Sequence, residues 1–381
     1  MRIGIDARLY GLKHAGIGRY IMHLVEELQQ LDTTNKYVLF LRSDNYSTLK
    51  LPARWTKVIA DIRHYTLAEQ TTMPQIIRSA KVDLMHFPHF NVPLLYRGPF
   101  IVTIHDLLWH DFKGLKVTTL NPVMYLIKYG GYRLIVNSAL DRSRHILVPS
   151  FWVKRELQDQ FGLSGSKITV TYEGIAGSFS QPPNIQLGQS LVKRLKLKSP
   201  FVVYTGSAYP HKNLRLLFDA IKLVNHQGTS LAVAIVSSRS VFLEQLKAYV
   251  HREHLDEQVN FVGFLSDQEL RLLYSQALSL VHPSLSEGFG LTGLEAMAAD
   301  LPVLASRAGS LPEIYRDAAL YFDPHDPTDL AAKLNQLLTD PQLIDHLRRQ
   351  GQTLTSIYSW SATAKKTLEA YELSSSLRSH Q

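Results

Sequence analysis

The stretch LSLVHPSLSEGFGLTGLEAMAADLPVLAS, residues 278–306, decides how this chain is read. LSLVHP (278–283) and PVLAS (302–306) are short apolar runs of strand character, and the segment between them takes helical spacing from about Phe289. Strand, loop, helix and strand in that order is the repeating unit of a parallel sheet. Upstream the same alternation continues, with FVVYTG (201–206), LAVAIV (231–236) and VNFVGF (259–264) separated by helical patterns from Asn213, near 240–254 and from Asp267. A polar stretch rich in Gly, Ser, Gln and Pro, about 176–190, reads as a linker. Before it lies a second series: RIGID (2–6), YVLFL (37–41), KVIA (57–60), VDLMHF (82–87), FIVTIH (100–105), HILVP (145–149) and KITVTY (167–172). Helical patterns over Ile17–Leu31, Leu67–Ala80, Pro122–Leu140 and Phe151–Phe161 fall between these runs. The expectation is two doubly wound α/β domains, 1–180 and 190–355, facing across a cleft, with ligands at the carboxyl ends of the strands.

Composition narrows the classes. With 381 residues, 45% hydrophobic and 19% charged, and no apolar run of membrane-spanning length, the chain is neither disordered nor an integral membrane protein. No cysteine is present, which excludes disulfides, thiol catalysis and Cys-ligated metals. The start, MRIGIDARLY, lacks the apolar core of a signal peptide, so a cytoplasmic location is expected. The net charge of +8 lies wholly in residues 1–190, which hold 22 Lys+Arg against 14 Asp+Glu, whereas residues 191–381 hold 19 of each. A basic half attracts anionic partners, unless it serves only to keep the surface soluble.

Chemistry concentrates in four places. In residues 282–300, Ser284, Ser286, Gly288 and Gly290 make a pliable loop, and the helix after it turns its first N–H groups, near Phe289, Gly290, Leu291 and Thr292, outward at its positive end, a setting that suits an anion. Glu287 and Glu295, eight positions apart, can each accept hydrogen bonds from vicinal hydroxyls, so phosphate and sugar would be read together. In YTGSAYPHKNL (204–214), Gly206 permits a tight turn, Lys212 supplies a mobile cation and Asn213 is placed to cap the next helix. GLKHAGIGRY (11–20) resembles a phosphate-binding glycine turn through Gly16 and Gly18, but Ile21 stands where a dinucleotide fingerprint has a small residue, and no ribose-binding carboxylate ends the second strand. His105 and Asp106 emerge where a central strand ends. There a His either serves a substrate hydroxyl or bonds to backbone.

Absences inform as well. No Asp-x-Asp triplet, P-loop, HExxH or GxSxG occurs, so a leaving diphosphate would be met by Lys212, Arg19 and helix N-termini rather than by a metal. Residues 110–136 interleave Lys113, Lys116, Lys128 and Arg133 with Tyr125, Tyr129 and Tyr132, which suits a bilayer interface, an acceptor groove or an ordinary solvated helix.

The order GIGRY, TIHD, a GxxxPxKN turn, EGFGLTGLEAMA, PVLAS, GSLPEI and YSWSATAKKTLEAY resembles the retaining family-four glycosyltransferases of GT-B fold over essentially the whole chain. The resemblance implies two Rossmann-like domains, the carboxy-terminal one binding a nucleotide-diphosphate sugar, the amino-terminal one binding the acceptor, and a last helix, about 361–381, returning to the first domain. It implies that Glu295 binds ribose hydroxyls, Glu287 the donor sugar and Lys212 the diphosphate. The Gly16 backbone would approach the phosphates, His105 would sit beside the donor sugar, and the loop from Gly288 through Phe289 and Gly290 to Leu291 would donate N–H groups. Many relatives carry Arg where this chain has Ser207, so Arg19, His211 or another group would replace that cation. The activity implied is retaining transfer of a hexose from GDP-mannose or a UDP-hexose to a saccharide or lipid-linked saccharide acceptor, without metal, in surface polysaccharide synthesis. Contact with an anionic membrane surface is expected and nucleic acid is not. The alternatives are an epimerase or phosphorylase of the same fold, and a non-catalytic nucleotide-sugar-binding protein.

Overall fold

A computed structural model describes residues 1–11, 14–112, 114 and 121–376. Lys113 and Lys116 of the basic–aromatic stretch, and the last five residues of the expected final helix, lie outside them. The chain divides into two compact units, one of residues 1–107, 120–174 and 359–381, the other of residues 108–119 and 175–358.

The first unit is built on a seven-stranded, all-parallel sheet: β1 (Arg2–Asp6), β2 (Lys36–Leu41), β3 (Trp55–Ile59), β4 (Leu84–Phe87), β5 (Phe100–Thr103), β6 (His145–Val148) and β7 (Ile168–Val170). Their spatial order is β3-β2-β1-β4-β5-β6-β7. The second unit has six parallel strands, β8 (Phe201–Thr205), β9 (Ala232–Val236), β10 (Val259–Gly263), β11 (Leu280–His282), β12 (Val303–Ser306) and β13 (Ala319–Phe322), in the order β10-β9-β8-β11-β12-β13. Each order reverses direction once, between β1 and β4 and between β8 and β11. Adjacent loops diverge there, and that is where open α/β sheets bind ligands.

The central strands are continuous apolar runs because helices cover both faces, and IVT of β5, ILV of β6 and AIV of β9 are fully buried. Gly4 of β1 is set by packing, since a Cβ there would lie 2.7 Å from Met85 Sδ. Helices start where a side chain can cap them: Thr66, Asn121, Ser150, Ser240 and Ser266 each accept a backbone N–H of the following turn, the last within a capping box with Glu269.

Three segments differ from the sequence expectation. The stretch read as a linker contains a helix, Ile185–Arg194, capped by Asn184 and held by its buried Gly188 and Leu191. Asn213 does not cap through its side chain. It adopts a left-handed conformation and its Nδ2 donates to Pro324 O at 2.8 Å. Beyond PVLAS the sheet gains β13, followed by the helices Pro327–Thr339 and Pro341–Thr355.

The helix Trp360–Ser376 belongs to the first unit and carries one end of a buried polar relay. Its Tyr371 hydroxyl bonds His86 Nδ1 at 2.8 Å, His86 Nε2 bonds Thr103 Oγ1 at 2.8 Å, and Tyr20 Oη meets Thr103 at 3.2 Å. Burial pushes the His86 imidazole down to about 3, so it stays neutral and accepts one bond while donating the other.

Candidate active site

In the second unit the loops after β8 and β11 meet at the switch point. The chain leaves β8 through Gly206, whose φ of 145° suits glycine, and runs through the turn Pro210–Lys212. Leu285 N–H donates to His211 O at 2.8 Å and stitches this loop to the one after β11. The result is a contact between residues 75 apart in sequence, Lys212 Nζ lying 2.6 Å from Glu287 Oε1.

Glu287 is the centre of the site. Its Oε1 also accepts from His282 Nε2 at 2.8 Å and from Ser284 Oγ at 2.7 Å, while the described residues place no hydrogen bond on Oε2. Burial alone would raise its pKa, but the Lys212 ammonium and the His282 bond outweigh burial and hold the carboxyl well below the usual range. Behind it, His282 Nδ1 bonds Tyr315 Oη at 2.8 Å, and that hydroxyl donates to Gly290 O.

Glycine is required around this carboxylate for reasons of space. Gly290 adopts φ 98° as it starts the helix Leu291–Ala298, and a Cβ on it would lie 2.6 Å from Leu311 Cδ2. A Cβ on Gly293 would come 2.2 Å from Tyr315 Oη, and one on Gly309, at φ 58°, 2.6 Å from Glu287 N. Ser310 N–H donates to Glu287 O at 3.1 Å, so the GSLPEI segment fixes the backbone of Glu287 while Lys212 fixes its side chain.

The other expected donor-site residues take varied places. Gly288, Phe289 and Gly290 are buried and Leu291 begins the helix, with Glu295 in its second turn at 2% exposure. Ser207 is exposed and its carbonyl accepts from Tyr204 Oη at 2.6 Å. His211, considered for the missing cation, is neutral at pH 7 because burial and the neighbouring Lys212 push it down to about 4.

In the first unit, Gly16 lies exposed in the first turn of the helix Ala15–Leu31 with open space at its Cβ position, and Arg19 is half-buried one turn later. Gly18 is the packing glycine of that motif, since a Cβ would sit 2.1 Å from Gly11 O. His105 has both ring nitrogens engaged, Nδ1 at 3.3 Å from Glu173 Oε1 and Nε2 at 3.0 Å from Pro88 O, with the Tyr20 ring edge-on at 4.8 Å. The backbone bond to Pro88 is one of the two readings of this histidine, and the Glu173 carboxylate is a partner that neither reading named. Among the described residues, no three His, Asp or Glu side chains converge as a metal site would require.

Sequence reasoning did not single out His282, Tyr315, Gly309 or Glu173. The signals were present, since His282 ends a strand, Gly309 opens the GSLPEI segment, Tyr315 follows it and Glu173 follows KITVTY, but their contacts form only once the chain is folded.

Residues 14–176 match the family described as Glycosyltransferase Family 4, and residues 190–354 match Glycosyl transferases group 1. The chain belongs to the family-four, group 1 glycosyltransferases. It is 26% identical to the O-antigen chain mannosyltransferase B of Escherichia coli over 94% of this chain and 96% of that one. It is likewise 26% identical to the O-antigen chain mannosyltransferase RfbU of Salmonella typhimurium over 71% and 69%. Among solved structures, sucrose-phosphate synthase from Thermosynechococcus elongatus superposes with a TM-score of 0.76 over 98% of both chains at 18% identity. The Anabaena protein HepE in complex with UDP-glucose gives 0.72 over 97% and 99%, also at 18%. The fold of this glycosyltransferase is therefore GT-B.

The Glu173–His105 contact generates a titration prediction. Burial lowers the His105 pKa, but the Glu173 hydrogen bond and charge together outweigh burial and hold it above the ordinary value. A group raised in this way stabilises the fold below its ordinary pKa, and the stabilisation fades as pH rises through the folded value. We expect Glu173→Gln to drop the His105 pKa below its ordinary value and to reduce the loss of stability as pH rises above the ordinary histidine value. Heteronuclear NMR of the His105 ring together with urea melts reads both, and an unchanged His105 titration would contradict the assignment.

Proposed function

We propose that this glycosyltransferase moves a mannosyl group from GDP-mannose to a saccharide or lipid-linked saccharide acceptor in surface polysaccharide synthesis, with UDP-hexose as the alternative donor. The observation that carries the donor site is the Glu287–Lys212 pair at the β8/β11 switch point, beside the N-terminus of the helix Leu291–Ala298. Lys212 and the N–H groups of Phe289–Leu291 suit a diphosphate, and the open Oε2 of Glu287 suits a sugar hydroxyl. Glu295, one turn into the helix, is assigned to the ribose. The mannosyl choice draws support from the two O-antigen mannosyltransferases named above.

In the reaction, the acceptor hydroxyl oxygen bonds to the anomeric carbon on the face from which the diphosphate departs. The carbon–oxygen bond to the diphosphate breaks, and the acceptor proton passes to the departing phosphate oxygen. The anomeric configuration is retained. No carboxylate nucleophile is invoked, because Glu287 is committed to Lys212, His282 and Ser284. Charge stabilisation of the leaving group is the main term and is assigned to Lys212, Arg19 and the helix end without a metal ion. For His105, held by Glu173 at 3.3 Å, we propose a role toward the donor sugar.

We expect Lys212→Ala to lower transfer by about 100-fold or more, the range for loss of one preorganised donor. Glu295→Ala weakens nucleotide-sugar binding in a thermal-shift panel of GDP, UDP and ADP sugars, in which GDP-mannose gives the largest shift for wild type. Wild-type turnover by both variants, or transfer that is lost in EDTA, would contradict this site.

A membrane-facing role is assigned to the helix Pro122–Arg142. No described helix is long and apolar enough to cross a membrane, yet Val123, Leu126 and Ile127 near the start of this one are each more than 60% exposed, with Lys128 and Arg133 beside them. Exposed apolar residues among cations suit the headgroup region of an anionic bilayer, at the cytoplasmic face. We expect flotation with phosphatidylglycerol liposomes at low salt, lost on replacing Val123, Leu126 and Ile127 by Ser. Equal flotation of the two proteins would remove this role.

A further inference from the structure

Tyr65 is in an unusual position for a large aromatic residue. It is 63% exposed and adopts a left-handed conformation, φ 63°, which glycine or asparagine takes at much lower cost. The surroundings over-determine this strain. Tyr65 N–H donates to Glu69 Oε2 at 2.7 Å, and Glu69, fully buried, is pinned by Arg8 Nη2 at 2.7 Å and Asn91 Nδ2 at 2.8 Å. Arg8, also fully buried, grips Asp6 through Nε at 2.8 Å and Nη2 at 2.6 Å. A buried arginine, two carboxylates and an asparagine thus hold one exposed phenol ring in a costly backbone state, and an outlier fixed so firmly points to function.

Its location is also specific. Asp6 ends β1 and Pro88–Asn91 follow β4, so the cluster stands at the switch point of the first sheet. The Tyr65 ring lies 6.4 Å from those of His89 and Phe90, and 6.2 Å from His64. His89 Nδ1 accepts the Asn91 N–H at 3.3 Å, which puts the ring proton on Nε2, and no described residue takes that proton up. Asn91 Oδ1 is buried without a hydrogen-bond partner. Burial drives His89 down to about 3 and lowers His64, so both rings are neutral. Arg8 is neutralised by two carboxylates, Asp6 and Glu69.

We infer that Tyr65, with His64, His89 and Asn91, forms a subsite for a neutral glycosyl unit of the acceptor, the aromatic ring stacking on the sugar's C–H face and the uncharged polar groups meeting its hydroxyls. This specificity-determining role rests on the glycosyltransferase reading above and deepens it.

The test uses the full chain and three probes, the methyl glycosides of mannose, galactose and N-acetylglucosamine, in saturation-transfer NMR. At least one glycoside binds wild type and Tyr65→Trp, and its binding to Tyr65→Gly weakens by about tenfold or more, the size of a stacked aromatic contact. Tyr65→Gly melts at or above the wild-type temperature because strain is relieved, which separates a binding role from a structural one. Glycoside binding indifferent to Tyr65, no binding of any probe, or a lower melting temperature for Tyr65→Gly overturns the subsite. Absence of nucleotide-sugar binding by wild type, with Tyr65-dependent glycoside binding intact, would instead overturn the donor reading and leave the subsite standing.

Discussion

A buried carboxylate charge must be met by partners, and in this enzyme that requirement falls on Glu287. Removing such a group from water costs several kcal/mol unless donors surround it. Lys212 from the loop after β8, and His282 and Ser284 from the end of β11, supply them. The strand order that brings β8 beside β11 is therefore a condition for the carboxylate to be ionised at all. The glycines follow from the same condition. Gly309 lets the GSLPEI backbone close on Glu287, and Gly293 and Gly290 make room for Tyr315, which backs His282. A side chain added at any of the three would press on the Glu287 backbone or on Tyr315 behind His282 rather than merely crowd a loop.

The pair also suits the role proposed for Lys212, in a site that would receive and release diphosphate. Before the donor arrives, the ammonium is satisfied by Glu287 and costs little to keep nearly buried. When phosphate oxygens compete for it, His282 and Ser284 still hold the carboxylate, so the lysine can move without leaving Glu287 unpaired. A site with Lys212 as the sole partner would resist that exchange.

The parallel sheets were legible in the sequence because strands covered on both faces must be continuous apolar runs, and ILV, AVAIV and FVVYT stand out as such. β13, ALYF, escaped because an edge strand with half-exposed Leu320 and Tyr321 carries no comparable run. The helix at Ile185–Arg194 escaped because its Gly, Ser and Gln content favours a loop. Packing of Gly188 against Leu272 and Gln276 overrides that propensity. At the candidate site, the glycines, glutamates and lysine at strand ends were readable as a cluster, which the fold brings together. Their pairings were not, since Lys212 and Glu287, or His105 and Glu173, meet only through the sheet order. The strained Tyr65 was invisible for a related reason, as a backbone angle leaves no trace in residue type when the residue is not glycine.

A crystal structure of the chain with GDP-mannose tests the central claim most directly. The account predicts Lys212 Nζ on the diphosphate and separated from Glu287, with Glu287 still bonded to His282 and Ser284 and its Oε2 on a hexose hydroxyl. A nucleotide bound elsewhere, or bound beside an intact Lys212–Glu287 pair, would contradict it.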